Sequence, residues 1–355
     1  MAEIRLSATL YQRFLVCPKY ASLSLNHSTK HLTKPSLRAA LGKVSHQLVE
    51  SSVRIPSDWD NEKISEWFDL NWDNLIDEEF TELKSKWSPN SVMKPQSWPG
   101  YFTTRASAKS LVLKNSGLLP HRILKQNKVN EAIKATDKPH LPLVEIFLVS
   151  EELGIVGKPD FVFLENEKAT IYDYKFGNDQ KDLDKHKLQM YFYQLLIESV
   201  VGIEVGKLAI VTSANKVWDI PLNPKELDNL KSDIPRVLEA LLSDRVAALP
   251  NLSNCRLCEF KSICNPFKEA KIESHPGQPL AIHGQVIQIR QIDVNFQELV
   301  IKPKTSVKEE EIKIFGVPTG YSFKSGDSVF VCDNLEFRDP KTVGFSWNSR
   351  IFVEA

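Results

Sequence analysis

Along the first part of the chain the apolar positions recur at helical spacing. Leu10, Phe14 and Leu15 mark a short helix within 7–24, and Leu37, Leu41, Val44 and Leu48 mark a second within 36–53. Ile64, Trp67, Phe68, Leu75, Ile76, Phe80 and Leu83 predict one long amphipathic helix over 60–86, its apolar stripe turned to a core. Pro89, Pro95 and Pro99 break 88–99 into a loop, and 100–136 reads as helical.

The period then shortens to two. Residues 143–149, 154–164 and 169–175 read as strands, the last two joined by the turn Glu165-Asn166-Glu167-Lys168. A helix over 182–201, strands over 207–212 and 216–220, and a helix over 224–248 stopped by Pro250 complete this part. Helices first, then strands with a helix between them, predict an α/β core carrying a helical insertion at about 55–136. From about His275 the texture changes again. Five short strands, at 280–290, 293–302, 312–315, 328–332 and 345–354, are punctuated by Gly284, Gly316, Gly320 and Gly326. They predict a small all-β, OB-like barrel. The expected domains are therefore 1–274 and 275–355.

Composition narrows the class. The 355 residues hold 42% hydrophobic and 25% charged side chains, with 45 Lys+Arg balancing 45 Asp+Glu. Such a chain can bury a large core, and nothing in it approaches the apolar run of a membrane span. No signal-peptide pattern opens it, so a cytoplasmic location and no membrane partner are expected. The neutral balance hides asymmetry. Residues 56–87 hold ten acids against three bases, and 105–134 hold seven bases against Glu131. Either run can be a solvated helix face, but the basic one gains interest beside a nucleic-acid site.

The chemistry sits in a few spacings. Asp160 and Asp173 fall on neighbouring strands, so a hairpin can bring both carboxylates to one divalent ion, magnesium or manganese. In Asp173-Tyr174-Lys175, alternation puts acid and ammonium on one face. His186, Gln189 and Tyr193 share a stripe of the following helix, and His46 lies one turn after Gly42 on an early one. Alone, Asp-x-Lys reads more readily as a surface salt bridge and a lone helical His as an ordinary one, and Gln189 and Tyr193 can be amphipathic surface residues. Of five cysteines, Cys332 lies in an apolar run and reads as a small buried hydrophobe. Cys17-Pro18 stands far from the trio Cys255-x2-Cys258-x5-Cys264. Four thiolates of this kind can hold a 4Fe–4S cluster or a zinc ion, or remain unligated.

Taken in order, Gly42-x3-His46, Gly157-x-x-Asp160, Asp173-Tyr174-Lys175 and Gln189-x3-Tyr193 resemble the PD-(D/E)XK nucleases of the RecB type. Cys17-Pro18 with the downstream trio resembles the iron–sulfur staple of the AddB nuclease domain and of CRISPR-associated RecB-like exonucleases. The resemblance covers about 7–270. It implies a restriction-endonuclease-like core that cuts DNA, often single strands from an end. It further implies that His46, Asp160 and Asp173 ligate the metal, that Lys175 is the catalytic lysine, and that Gln189 and Tyr193 support the site and the strand. Cys17, Cys255, Cys258 and Cys264 would then hold a 4Fe–4S cluster. Glu145, on the first strand, is a lower-ranked acid. Asp173 stands where many such nucleases have Glu, which should still bind metal. Repair, recombination or phage defence is the expected setting. The alternatives are a prespacer-trimming nuclease with a CRISPR adaptation subunit and a DNA-end scaffold that does not cut. No G-x4-G-K-[ST] loop is present, so a helicase motor would be a separate partner. The last 80 residues hold no catalytic set. Tyr321, Phe323 and Trp347 lie near turns and are the expected base-stacking candidates.

Overall fold

The structure, a computed structural model, describes residues 4–33, 36–52, 54–86, 94–116, 133–134, 141–144, 146–175, 183–212, 216–243, 246–275, 278–304, 311–346 and 349–354. Glu145 and Trp347 lie outside the described residues. The chain divides into two compact units, one of Met1–Leu15, Pro35–Phe80 and Lys94–Val246, the other of Val16–Lys34, Thr81–Met93 and Ala247–Ala355.

The first unit is built on a five-stranded mixed sheet, in the order β1 (Leu143–Val144), β2 (Phe161–Glu165), β3 (Lys168–Lys175), β4 (Val205–Thr212) and β5 (Val217–Ile220). Only β3 and β4 are parallel, because the helix Leu183–Leu196 carries the chain back between them. That pair is buried on both faces through Ala169, Ile171, Leu208, Ala209 and Ile210, which is why these strands read as near-continuous apolar runs. The crossover helix packs Met190, Phe192, Leu195 and Leu196 inward and ends in a π-turn, Ile197–Val201, capped by Gly202. β2 and β3 form a hairpin whose two turn residues, Asn166 and Glu167, have φ of 50° and 64°. Asn tolerates that region, but Glu does so only at a cost. Glu167→Gly should therefore stabilise by about 0.5–1 kcal/mol, read as a higher thermal midpoint; a lower one would exclude this turn geometry.

Two expected strands are interrupted. The run 154–164 splits into Ile155–Gly157 and β2, in different sheets, because Pro159 has no N–H to give a ladder. The run 143–149 likewise splits into β1 and Leu148–Ser150, the latter pairing with Ile155–Gly157 and with Ile133–Lys134. Ile133–Lys134 is thus strand, where the charge and spacing predict helix. The expected first helix is two, Ala8–Val16 and Pro18–Leu25, since Pro18 can only begin a helix.

The long acidic helix is present as Asn61–Lys86 and meets the basic helix Tyr101–Asn115. Phe68 stacks on Trp72, whose Nε1 donates to Tyr101 Oη at 3.0 Å. Asp69 pairs with Arg105 at 2.9 Å and Lys109 at 2.7 Å, and Lys43 pairs with Glu79. These opposite charges join helices inside one unit, so Arg105 and Lys109 are spent on Asp69.

In the second unit a seven-stranded sheet runs in the order Glu336–Asp339, Thr342–Gly344, Ile312–Pro318, Phe296–Pro303, Ala281–Gln291, Ser328–Cys332, Arg350–Glu354. All five predicted strands are there. Two short polar ones, Glu336–Asp339 and Thr342–Gly344, escape the pattern. Among the described residues no ladder joins the first strand of this order to the last, so the sheet is open, where the sequence predicts an OB-like barrel. Thr342–Gly344 pairs in parallel along Ile312–Pro318, on the side opposite Phe296–Pro303. Ala281–Gln291 is shared by partners on both sides. At Gly284 a Cβ would stand 2.5 Å from the Lys302 carbonyl oxygen, so only glycine fits. Tyr321 and Phe323 stack on each other at 6.0 Å and pack on the core, so they are half-buried packing groups and not an exposed platform.

Glu354 gathers Lys268 (2.8 Å), His283 (2.6 Å) and Ser328 (3.0 Å). Burial pushes its carboxyl up, but these partners outweigh burial and hold it at about 2. A depressed pKa contributes stability above the ordinary carboxyl range and loses it as pH falls through the folded value. The stability difference between wild type and Glu354→Gln should accordingly shrink between about pH 4.5 and about pH 2 in pH-dependent denaturation, and a constant difference would exclude the ion cluster as its cause.

Candidate active site

Asp173 and Lys175 leave β3 on the same face at its C-terminal end, as period two requires. Asp173 is 1% exposed. Its Oδ2 makes no hydrogen bond, although Lys175 Nζ stands 2.5 Å away as an ion-pair partner. The same ammonium donates to Gln189 Oε1 at 3.0 Å, and Gln189 Nε2 donates to Tyr193 Oη at 2.6 Å. Gln189 and Tyr193 lie one turn apart on the crossover helix, so the parallel β3–helix–β4 connection places them over the strand end. A chain of four polar side chains results: Asp173, Lys175, Gln189 and Tyr193. His186 lies on the same stripe of that helix.

Asp160 enters from the other strand of the hairpin. It sits in the break that Pro159 makes before β2, and its Oδ2 accepts the Tyr174 backbone N–H at 2.6 Å. That bond ties Asp160 to the residue between Asp173 and Lys175. His46, on the helix Leu37–Ser52, has its Nδ1 3.5 Å from the same Asp160 oxygen. The helix buries Leu37, Leu41, Val44, Leu48 and Val49, which turns His46 to its less buried flank. Gly157 supports the group from behind. A Cβ there would stand 2.7 Å from Leu196 Cδ1 and 3.2 Å from the Tyr193 ring. Gly157→Ala should therefore displace Tyr193 and lower activity about 10-fold while the protein stays folded, measured as kcat with circular dichroism as control; unchanged kcat would show the ring has room.

As they stand, no three His, Cys, Asp or Glu side chains among the described residues are close enough to coordinate one ion together. The donor chemistry nonetheless fits a hard divalent cation. His46 and Asp160 are 3.5 Å apart, Asp160 is tied to the strand residue next to Asp173, and the buried Asp173 Oδ2 is met by an ammonium but by no hydrogen bond.

A second cluster lies in the other unit. Cys17 caps the helix Pro18–Leu25 with an extended backbone, φ −160°, and accepts the Leu249 N–H at 3.4 Å. Cys17, Cys255, Cys258 and Cys264 line one cavity of about 20 Å³, and all are free thiols. Burial raises the Cys255 thiol and pushes Cys258 up to about 11. As placed, no three of these thiols meet closely enough to hold one ion.

Sequence reasoning missed Lys261, in the middle of the cysteine loop. It is 1% exposed and donates to the carbonyls of Cys255 (3.1 Å), Arg256 (3.3 Å) and Cys258 (2.6 Å). Its ammonium pairs with Asp333 at 2.6 Å, and Asp333 also accepts from Arg350 Nε at 2.7 Å. The only sequence signal was a lysine placed between metal-spaced cysteines.

Among the described residues no helix is long and apolar enough to cross a membrane. No curated protein matches the chain. A solved structure described as "Crystal structure of SSO0001" matches with 22% identity and a TM-score of 0.22, over 31% of this chain and half of that one, 50%. A family model, PD-(D/E)XK nuclease superfamily, matches residues 5–265, a span holding His46, Asp160, Asp173, Lys175, Gln189, Tyr193 and the four cavity-lining cysteines. With most of its length inside that match, the chain belongs to the PD-(D/E)XK nuclease superfamily, whose members are nucleases that generally use divalent metals.

Proposed function

We propose that the chain is a magnesium- or manganese-dependent DNA nuclease, an exonuclease that hydrolyses phosphodiester bonds in single-stranded DNA or at DNA ends. It would work in the cytoplasm in repair, recombination or phage defence. The observation that carries this reading is the Lys175 ammonium held between Gln189 and a buried, hydrogen-bond-deficient Asp173 oxygen. His46, Asp160 and Asp173 would hold the cation, which when bound polarises the scissile phosphate and acidifies water beside it. Lys175 orients the attacking water and stabilises charge on the phosphoryl oxygens, where a fixed ammonium in a buried site acts most strongly. Water oxygen bonds to phosphorus, the P–O bond to the leaving nucleoside breaks, and the proton lost by water ends on that leaving oxygen. Gln189 fixes the Lys175 rotamer and Tyr193 fixes Gln189. The two domains would be 1–274 and 275–355, the latter binding nucleic acid or a partner without chemistry of its own.

The four cavity-lining thiols would carry a 4Fe–4S cluster that ties Cys17 to the trio far along the chain. A ring closed so late restricts the unfolded state, as a cross-link does. A single zinc ion on the same four thiols is the competing outcome.

The test uses anaerobically purified protein, assayed for iron and zinc and then given end-labelled linear and circular single-stranded DNA. Cutting of linear DNA with magnesium or manganese, abolished by chelator, with circular DNA resistant, is the expected result. Degradation of circles would overturn the end requirement. No cleavage with either metal would overturn the nuclease, and stoichiometric zinc without iron would overturn the cluster.

A further inference from the structure

Thr212 ends β4 and is registered beside Lys175 of β3 in the parallel ladder, one step beyond the pair Asp173 and Ile210 is Tyr174 and Val211. Registered neighbours of adjacent strands put their side chains on the same face. Thr212 therefore belongs to the face that carries Asp173 and Lys175, at the end of the sheet where the ammonium lies. It is 8% exposed, and its Oγ1 is buried without a hydrogen-bond partner. Its backbone N–H is occupied, donating to the Lys216 carbonyl at 2.9 Å.

A hydroxyl buried in this way is a liability to the fold. Valine has nearly the same shape, suits a strand equally well and leaves nothing unsatisfied. Two buried oxygens without hydrogen bonds, Thr212 Oγ1 and Asp173 Oδ2, thus flank Lys175 along its own strand and across the ladder. They differ in what they can take. The carboxylate oxygen already has the Lys175 ammonium at 2.5 Å, whereas the hydroxyl has no hydrogen-bond partner among the described residues. The hydroxyl can donate, and a hydroxyl and an ammonium side by side suit an anionic oxygen.

We propose that Thr212 is a catalytic residue whose hydroxyl donates to a non-bridging oxygen of the scissile phosphate, beside the Lys175 ammonium. This rests on the nuclease reading above and adds a second donor to its site. A donor aimed where charge develops is worth about 10²-fold in rate.

The full-length protein and its Thr212→Val, Thr212→Ser and Asp173→Asn variants would be compared in thermal midpoint and in kcat and KM on a linear oligonucleotide. The same oligonucleotide with one phosphorothioate at the scissile linkage serves as second substrate. Thr212→Val is expected to keep or raise the midpoint, to lower kcat about 10²-fold with KM little changed, and to be rescued by serine. On the phosphorothioate its penalty should shrink several-fold, because sulfur accepts hydrogen bonds weakly. A lower midpoint for Thr212→Val would show that the hydroxyl holds the fold through water, and would overturn the proposal. So would wild-type kcat, or an equal penalty on both substrates. If Thr212→Val cuts normally while Asp173→Asn is dead, only this proposal fails. If Asp173→Asn still cuts, the nuclease site itself is misplaced.

Discussion

Asp173→Asn is expected to lower cleavage by about 10²–10³-fold with little loss of folded structure. The side chain is 1% exposed and its shape is kept, so packing is undisturbed. What disappears is the charge. In the wild type the Oδ2 atom is the ion-pair partner of the Lys175 ammonium at 2.5 Å, and an amide there neither attracts a cation nor balances the lysine. Lys175 would keep Gln189, at 3.0 Å, as its neutral partner. Lys175→Met should fall to the same floor, and the double variant should fall no further, because groups that act as one unit lose their effect together. The measurement is kcat on linear single-stranded DNA, with circular dichroism as a control for folding. Strictly multiplicative losses in the double variant would show two independent roles, and more than a tenth of wild-type activity in Asp173→Asn would remove it from the site.

How much of this was legible in the sequence depends on the range of each interaction. The face shared by Asp173 and Lys175 follows from strand alternation alone, and the stripe shared by Gln189 and Tyr193 from the helical repeat. Leu37, Leu41, Val44 and Leu48 set the helix that carries His46 in the same way. The hairpin from β2 to β3 was readable from its turn. The break before Asp160 was not, although Pro159 was in view, because apolar residues continue on both sides of it. Nor was the strand Ile133–Lys134, whose pairing partner Leu148–Ser150 lies beyond β1 along the chain. Register between β3 and β4 has no local signature, so the position of Thr212 beside Lys175 needed the structure. The extra strands at Glu336–Asp339 and Thr342–Gly344 are short and polar, and only their pairing identifies them.

Asp333→Ala is expected to destabilise the second unit by about 3–5 kcal/mol, the cost of leaving buried charge uncompensated. Lys261 is 1% exposed and Asp333 9%, and the carboxylate serves both Lys261, at 2.6 Å, and Arg350, at 2.7 Å. Asp333 also has φ of 69°, a region alanine enters at a further cost, so the fair comparison is Asp333→Asn, which keeps the shape and tolerates that backbone. Asn should recover the backbone part and leave the charge part. Lys261→Met differs in kind. It removes the ammonium and with it the donor to the Cys255, Arg256 and Cys258 carbonyls, but leaves Asp333 paired with Arg350. Its expected signature, if the cysteine loop carries the proposed metal, is looser retention of that metal, with a smaller loss of global stability. Arg350 donates as well to the Leu32 and Glu259 carbonyls, so the Asp333 carboxylate anchors a crossing of three chain segments within this unit. Urea denaturation of each variant, with bound iron or zinc measured per chain before and after dialysis, separates the two effects. An unchanged midpoint in Asp333→Ala would mean that Lys261 finds water or another acceptor. Full metal retention in Lys261→Met would mean that the loop is shaped by its backbone alone.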